Sequence, residues 1–174
     1  MPLPRGLRRR CERVLAGLDL PEPFTVEAFR AALAEQRGRP IVLEPLPDLG
    51  PDAPCGLWIS LPSVDVVLYR QSTSPAHQDL IKLHELGHLL RGHRQDLALD
   101  SLAGSFTALT PELVTGRLAA ARSHYDNEQE QEAEMIAVLL ADLAGAEQFG
   151  SSSSRRLAGS LAHPVRGPRR WRGD

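Results

Sequence analysis

Residues 80–93 read LIKLHELGHLLRGH, and how these fourteen positions are read decides the fold. They hold three histidines and one glutamate among mostly apolar or small residues. Just upstream, STSP at 72–75 offers a hydroxyl cap followed by Pro75 in the first turn, a strong helix-start signal, so a helix is predicted to run to about Gly92. At 100° per residue His84 and His88 lie about 40° apart on adjacent turns. Two imidazoles so placed can reach one zinc ion at about 2.0–2.1 Å, and Glu85 stands beside them as a candidate general base. Leu83, Leu86 and Leu90 form an apolar back roughly opposite the two histidines. A buried helix that merely happens to be rich in histidine would not require that separation. Gly87 costs about 1 kcal/mol relative to alanine inside a helix, which points to close packing there. His77 lies two turns earlier, about 10 Å along the axis, too far to bind the same ion. It is read as a surface or supporting residue. His93 points about 140° away from His88 beyond the helix end and is read as structural.

A site of this kind needs a third protein ligand and an open position. The segment NEQEQEAEMIAVLLADLAG, 127–145, reads as a helix capped by Asp126 or Asn127 and supplies four glutamates. Relative to Glu132, Met135, Ile136, Leu139, Leu140 and Leu143 fall at about −60°, +40°, −20°, +80° and +20°. Glu132 therefore sits in an apolar stripe, where a carboxylate is costly unless something pairs with it. Glu132 is the favoured third ligand. Glu128 shares the stripe one turn earlier and is the alternative, although a first-turn acid is also explained by the helix dipole. Glu130 and Glu134 are expected on the opposite, solvent-facing side.

Around these two helices the chain of 174 residues, 42% hydrophobic, suffices for one ordinary domain. Residues 5–17 read as a basic amphipathic helix rather than a signal peptide, because the apolar stretch that follows is short and broken by Asp19. Thr25 caps a helix carrying Phe29 and Leu33 on one face. Ile41–Leu46 reads as a strand, and LWISL and VDVVLYR as a hairpin turning at Pro62 and Ser63. Thr110 and Pro111 repeat the cap-then-proline signal of a further helix. The expected division is a basic N-terminal helix and linker at 1–24, a domain at 25–148, and a disordered basic tail at 149–174. The longest apolar runs, such as Met135–Ala141, are far short of the roughly 20 residues a bilayer requires. Cys11 and Cys55 lack metal-ligand spacing, and a reduced, cytoplasmic protein is expected.

The formal charge of −2 conceals a segregation. Residues 1–13 carry five arginines and one acid, and 151–174 six arginines and one acid, which leaves nine bases against 20 acids in residues 14–150. Basic ends can contact nucleic acid or an acidic partner, but a solvated tail is the commoner outcome.

In order, the hairpin GLWISLPSVDVVLYR, then LIKLHELGHLLRGH, then EQEAEMIAVLLA, residues 25 to 145 resemble the ImmA/IrrE-type metallopeptidases. That family's HELGH is followed by an E-x-E-A-x-x-x-A-x-x-L element, here Glu130, Glu132, Ala133, Ala137 and Leu140. The resemblance implies an α+β fold, a mostly helical zincin-like domain with a small three-stranded sheet. It also implies a zinc endopeptidase acting on a helix-turn-helix repressor, with His84, His88 and Glu132 as zinc ligands and Glu85 as base. The gap from His88 to Glu132 is longer than the family's, and the family's LLMP ending is replaced by LLADLAG. No DNA-binding domain is read in the chain, so the regulator is expected as a separate protein. Within the gap His124 and Tyr125 are of types that can hydrogen-bond an oxyanion. The competing reading is a non-hydrolytic, zinc-stabilised regulatory protein of toxin–antitoxin type, which the presence of Glu85 disfavours.

Overall fold

The computed structural model describes residues 5–46, 54–93 and 127–144. Four helices and three strands are found there: α1 (Arg5–Ala16), α2 (Val26–Arg37), β1 (Ile41–Pro45), β2 (Gly56–Ser60), β3 (Asp65–Tyr69), α3 (Pro75–Arg91) and α4 (Asn127–Leu143). The fold class is α+β, as expected. The helix at Thr110, His124, Tyr125 and the tail at 149–174 lie outside the described residues, as does Asp126.

The local signals explain the boundaries. Thr25 accepts a hydrogen bond from the Ala28 N–H to open α2, and Ser74 does the same for His77 ahead of Pro75 to open α3. Gly92 closes α3 at φ 62°, a left-handed conformation that a residue without Cβ adopts at no steric cost. Its N–H and that of His93 return to the last carbonyls of the helix, turning the chain back at the end of the motif.

β3 is central, parallel to β1 and antiparallel to β2, with Leu57 opposite Leu68 and Trp58 opposite Val67. Side chains alternate between faces. Ile41, Trp58 and Val67 join the helices in the main core, whereas Leu57, Ile59, Val66 and Leu68 pack with Leu46 and Leu61 on the other face. Asp65, fully buried at the start of β3, is approached by Arg37 Nε at 3.0 Å and Arg39 Nε at 3.3 Å and accepts the Trp58 indole N–H at 3.3 Å. That carboxylate ties the end of α2 to the sheet, and removing its partners would strand a buried charge.

α3 is the centre of the molecule. Leu80, Ile81, Leu83, Leu86 and Leu89 are almost wholly buried, and so are His84, Glu85 and His88. The apolar back read from Leu83 and Leu86 is present, and Leu90 packs at its margin. The opposite side is not a solvent face, because α4 lies across it. Ala133 marks the crossing: a Cβ on Gly87 would meet the Ala133 carbonyl oxygen and Ile136 Cγ2 at 3.4 Å each. α1 packs Leu7, Cys11 and Leu15 into this same core. No helix among the described residues is long and apolar enough to cross a membrane.

Candidate metal centre

One turn of α3 brings the two motif imidazoles together, their Nε2 atoms 3.0 Å apart. The carboxylate facing them comes from α4, and it is Glu130. Its oxygens lie 3.6 Å from His84 Nε2 and 3.4 Å from His88 Nε2. Four ligands around zinc at about 2.0–2.1 Å sit about 3.3 Å from one another by tetrahedral geometry; the two imidazole nitrogens and a carboxylate oxygen, one from each residue, all lie within 4.8 Å of one another, close enough to converge on one ion. Among the described residues His84, His88 and Glu130 are the group that can hold a metal ion. The donor set, two imidazoles and one carboxylate with a fourth position left over, is also the kind that catalytic zinc uses.

Glu132 is not brought to His84 and His88, and Glu130 stands in its place in the expected ligand set. It is buried, as the stripe predicted, but its Oε2 faces His93 Nε2 at 3.1 Å, and its Oε1 faces Arg91 Nε at 3.1 Å and Arg10 Nε at 3.3 Å. The physical reason lies in which residues define the face that meets α3. Leucines and Met135 marked the widest apolar stripe, but Gly87 of α3 faces the backbone of Ala133 and the side chain of Ile136. Relative to Glu132, Ala133, Ala137 and Glu130 fall at about 100°, 140° and 160°. Glu130 therefore shares the alanine face and was wrongly placed towards solvent, where it is in fact only partly exposed. Glu128 is exposed and outside the group, and His77 instead places its Nδ1 2.8 Å from Thr73 Oγ1. The signal that could have found Glu130 is the small-residue spacing of Ala133 and Ala137 opposite Gly87.

Glu85 is buried beside this group without belonging to it. Its side chain occupies space that only glycine leaves open: a Cβ on Gly56 would sit 2.7 Å from Glu85 Oε1 and 2.7 Å from Ile81 Cγ2. The backbone of Trp58 supplies a hydrogen bond to the carboxylate. The surrounding electrostatics separate the acids. Burial pushes Glu85 up to about 7, with Glu130 adding to the rise and His84 and the Trp58 bond opposing it. Burial acts the same way on Glu130, but hydrogen bonds with His84 and His88 override it and hold that carboxyl at about 2. Burial drives His88 down to about 4 and thereby favours the neutral imidazole that a metal requires.

β2 runs beside Glu85 as the edge of the sheet. Cys55 accepts from the Arg70 N–H and Leu61 donates to Val64, so the backbone groups of 55, 57, 59 and 61 point at β3. By alternation those of Gly56, Trp58 and Ser60 point outward, and among the described residues no strand pairs with that edge. Comparison of the chain with protein-family models, with curated proteins and with solved structures finds no match.

Proposed function

We propose that this chain is a zinc-dependent endopeptidase. The observation that carries the reading is Glu85, a buried carboxylate held beside, and not within, the His84, His88 and Glu130 group. A structural ion would need the three ligands and not this fourth acid. Bound there by His84, His88 and Glu130, zinc supplies Lewis-acid polarisation of a carbonyl and lowers the pKa of water towards about 7. Glu85, near neutrality in its own right, is suited to take the proton of the attacking water on a carboxylate oxygen. It then returns that proton to the leaving amine. The outward backbone groups of Gly56 and Ser60 and the Trp58 carbonyl can pair with an extended peptide laid along the edge of the sheet, next to Glu85, whose carboxylate already takes the Trp58 backbone hydrogen bond.

The substrate class comes from the resemblance to the ImmA/IrrE-type enzymes: a separately encoded regulator, of the helix-turn-helix repressor kind, inside the cytoplasm. The test combines zinc content with cleavage of a repressor encoded beside this chain. Wild-type protein is expected to carry one zinc and to cut the repressor, and Glu85→Gln to keep the zinc while losing about 10²- to 10⁴-fold in rate. Cleavage by Glu85→Gln at the wild-type rate would remove Glu85 from the chemistry. A zinc-loaded wild type that binds the repressor and never cuts it would make the protein a regulatory binder instead.

A further inference from the structure

Downstream of the motif, His93 lies five residues after His88, where a continued helix would turn it away. The left-handed Gly92 ends the helix first and folds His93 back, its N–H donating to the His88 carbonyl at 3.1 Å. Its ring then stands edge-on to His88, with the two Nδ1 atoms 2.9 Å apart. On its far side His93 Nε2 lies 3.1 Å from Glu132 Oε2. All three side chains are buried.

We infer that His93 is a positioning residue for the metal centre, locking His88 in the tautomer and orientation that present Nε2 to an ion, with Glu132 anchoring the chain. This rests on the metal-centre reading of His84, His88 and Glu130. The hydrogen positions follow from elementary bookkeeping. A metal-binding Nε2 must offer a lone pair, so the one proton of neutral His88 is on Nδ1. Two nitrogens 2.9 Å apart share one proton, so His93 Nδ1 accepts it. The proton of neutral His93 is then on Nε2, and the carboxylate of Glu132, which can only accept, receives it. Each group has one role, and the three roles agree. Arg91 of α3 and Arg10 of α1 place their charges beside the other oxygen of Glu132, at 3.1 and 3.3 Å, and so favour its ionised, accepting form. His84 has no such support: its Nδ1 has no hydrogen-bond partner among the described residues. Partners behind a metal-binding histidine are worth about 10- to 100-fold in metal affinity.

The experiment measures zinc affinity of the full chain by competition with a chelator at fixed neutral pH, together with the thermal melt of each metal-free protein. Variants are His93→Phe, which keeps a ring but offers no nitrogen, His93→Asn, whose amide oxygen stands where Nδ1 was, Glu132→Gln, and the His93→Phe/Glu132→Gln double variant. His93→Phe is expected to lose about 10- to 100-fold in affinity and His93→Asn to recover part of it. Glu132→Gln should lose less, and nothing further once His93 is phenylalanine, because Glu132 acts through His93. Substituted cobalt(II) should show a shifted visible spectrum in His93→Phe. Unchanged affinity and cobalt spectrum in a folded His93→Phe protein would overturn the inference, as would fully additive losses in the double variant. Should His93→Phe fail to fold, Glu132→Gln against wild type decides, with equal affinities counting against the chain. Failure of the metal-centre reading looks different: wild-type protein itself binds no zinc, or binds it undiminished after His84→Ala.

Discussion

Glu85 carries the sharpest pH prediction. Its carboxyl rises from an ordinary value of 4.5 to about 7 in the metal-free protein, chiefly because burial penalises the charge. The folded form thus binds the proton more tightly than the unfolded one, so stability is greatest below about 4.5 for this group and is lost as pH rises through about 7. Metal-free Glu85→Gln, which never ionises, should therefore be more stable than wild type at alkaline pH by a few kcal/mol, on the order of 1.4 kcal/mol per pKa unit. The advantage should fade towards mildly acidic pH, and urea titrations at several pH values will show whether it does. A second expectation separates the two glutamates of α4. Glu130→Ala should abolish tight zinc binding, whereas Glu132→Ala should weaken it without abolishing it, and equilibrium zinc measurements read the order directly. That His84 and His88 lie together, with Glu85 beside them, was legible in the sequence because their spacing is local to one helix. The approach of Glu130 was not, since it depends on which side of α4 meets α3, a tertiary fact that the large aliphatic residues obscured.

At the scale of elements, two glycines stand where elements of the site meet. Gly56 lets β2 lie against Glu85 and Ile81, and Gly87 faces Ala133 and Ile136 of α4. Their substitutions are expected to differ. Gly56→Ala would place a methyl group 2.7 Å from Ile81 Cγ2 and Glu85 Oε1. It should cost about 1–3 kcal/mol of overpacking, measurable as a lower midpoint in urea, and, under the proposed peptidase function, displacing Glu85 should also lower kcat. Gly87→Ala meets its neighbours at 3.4 Å, ordinary contact, and gains about 1 kcal/mol of helix propensity, so it should be neutral or stabilising in the same titration. The element boundaries were legible because each carries a chemical mark: Thr25, Ser74 with Pro75, and Gly92. The hairpin was legible as well, from the two short runs LWISL and VDVVLYR joined at Pro62 and Ser63. The parallel pairing of β1 with β3 was not, because no local pattern records which strand lies beside which.

For the whole molecule, an ion bound only by the folded form adds to stability by mass action. Zinc at a thousandfold over its dissociation constant should contribute about 4 kcal/mol, so a chelator should lower the melting temperature by roughly 10 °C. Calorimetry with and without chelator checks this, and in the His84→Ala variant the difference should disappear. The ion would also close a loop, since His88 and Glu130 stand 42 positions apart in the chain. Closing a loop in the unfolded chain depends on its length only logarithmically, and doubling that length costs about 0.6 kcal/mol. What the ion adds is therefore set by the ligands that α3 and α4 bring to it and hardly by the number of residues between them.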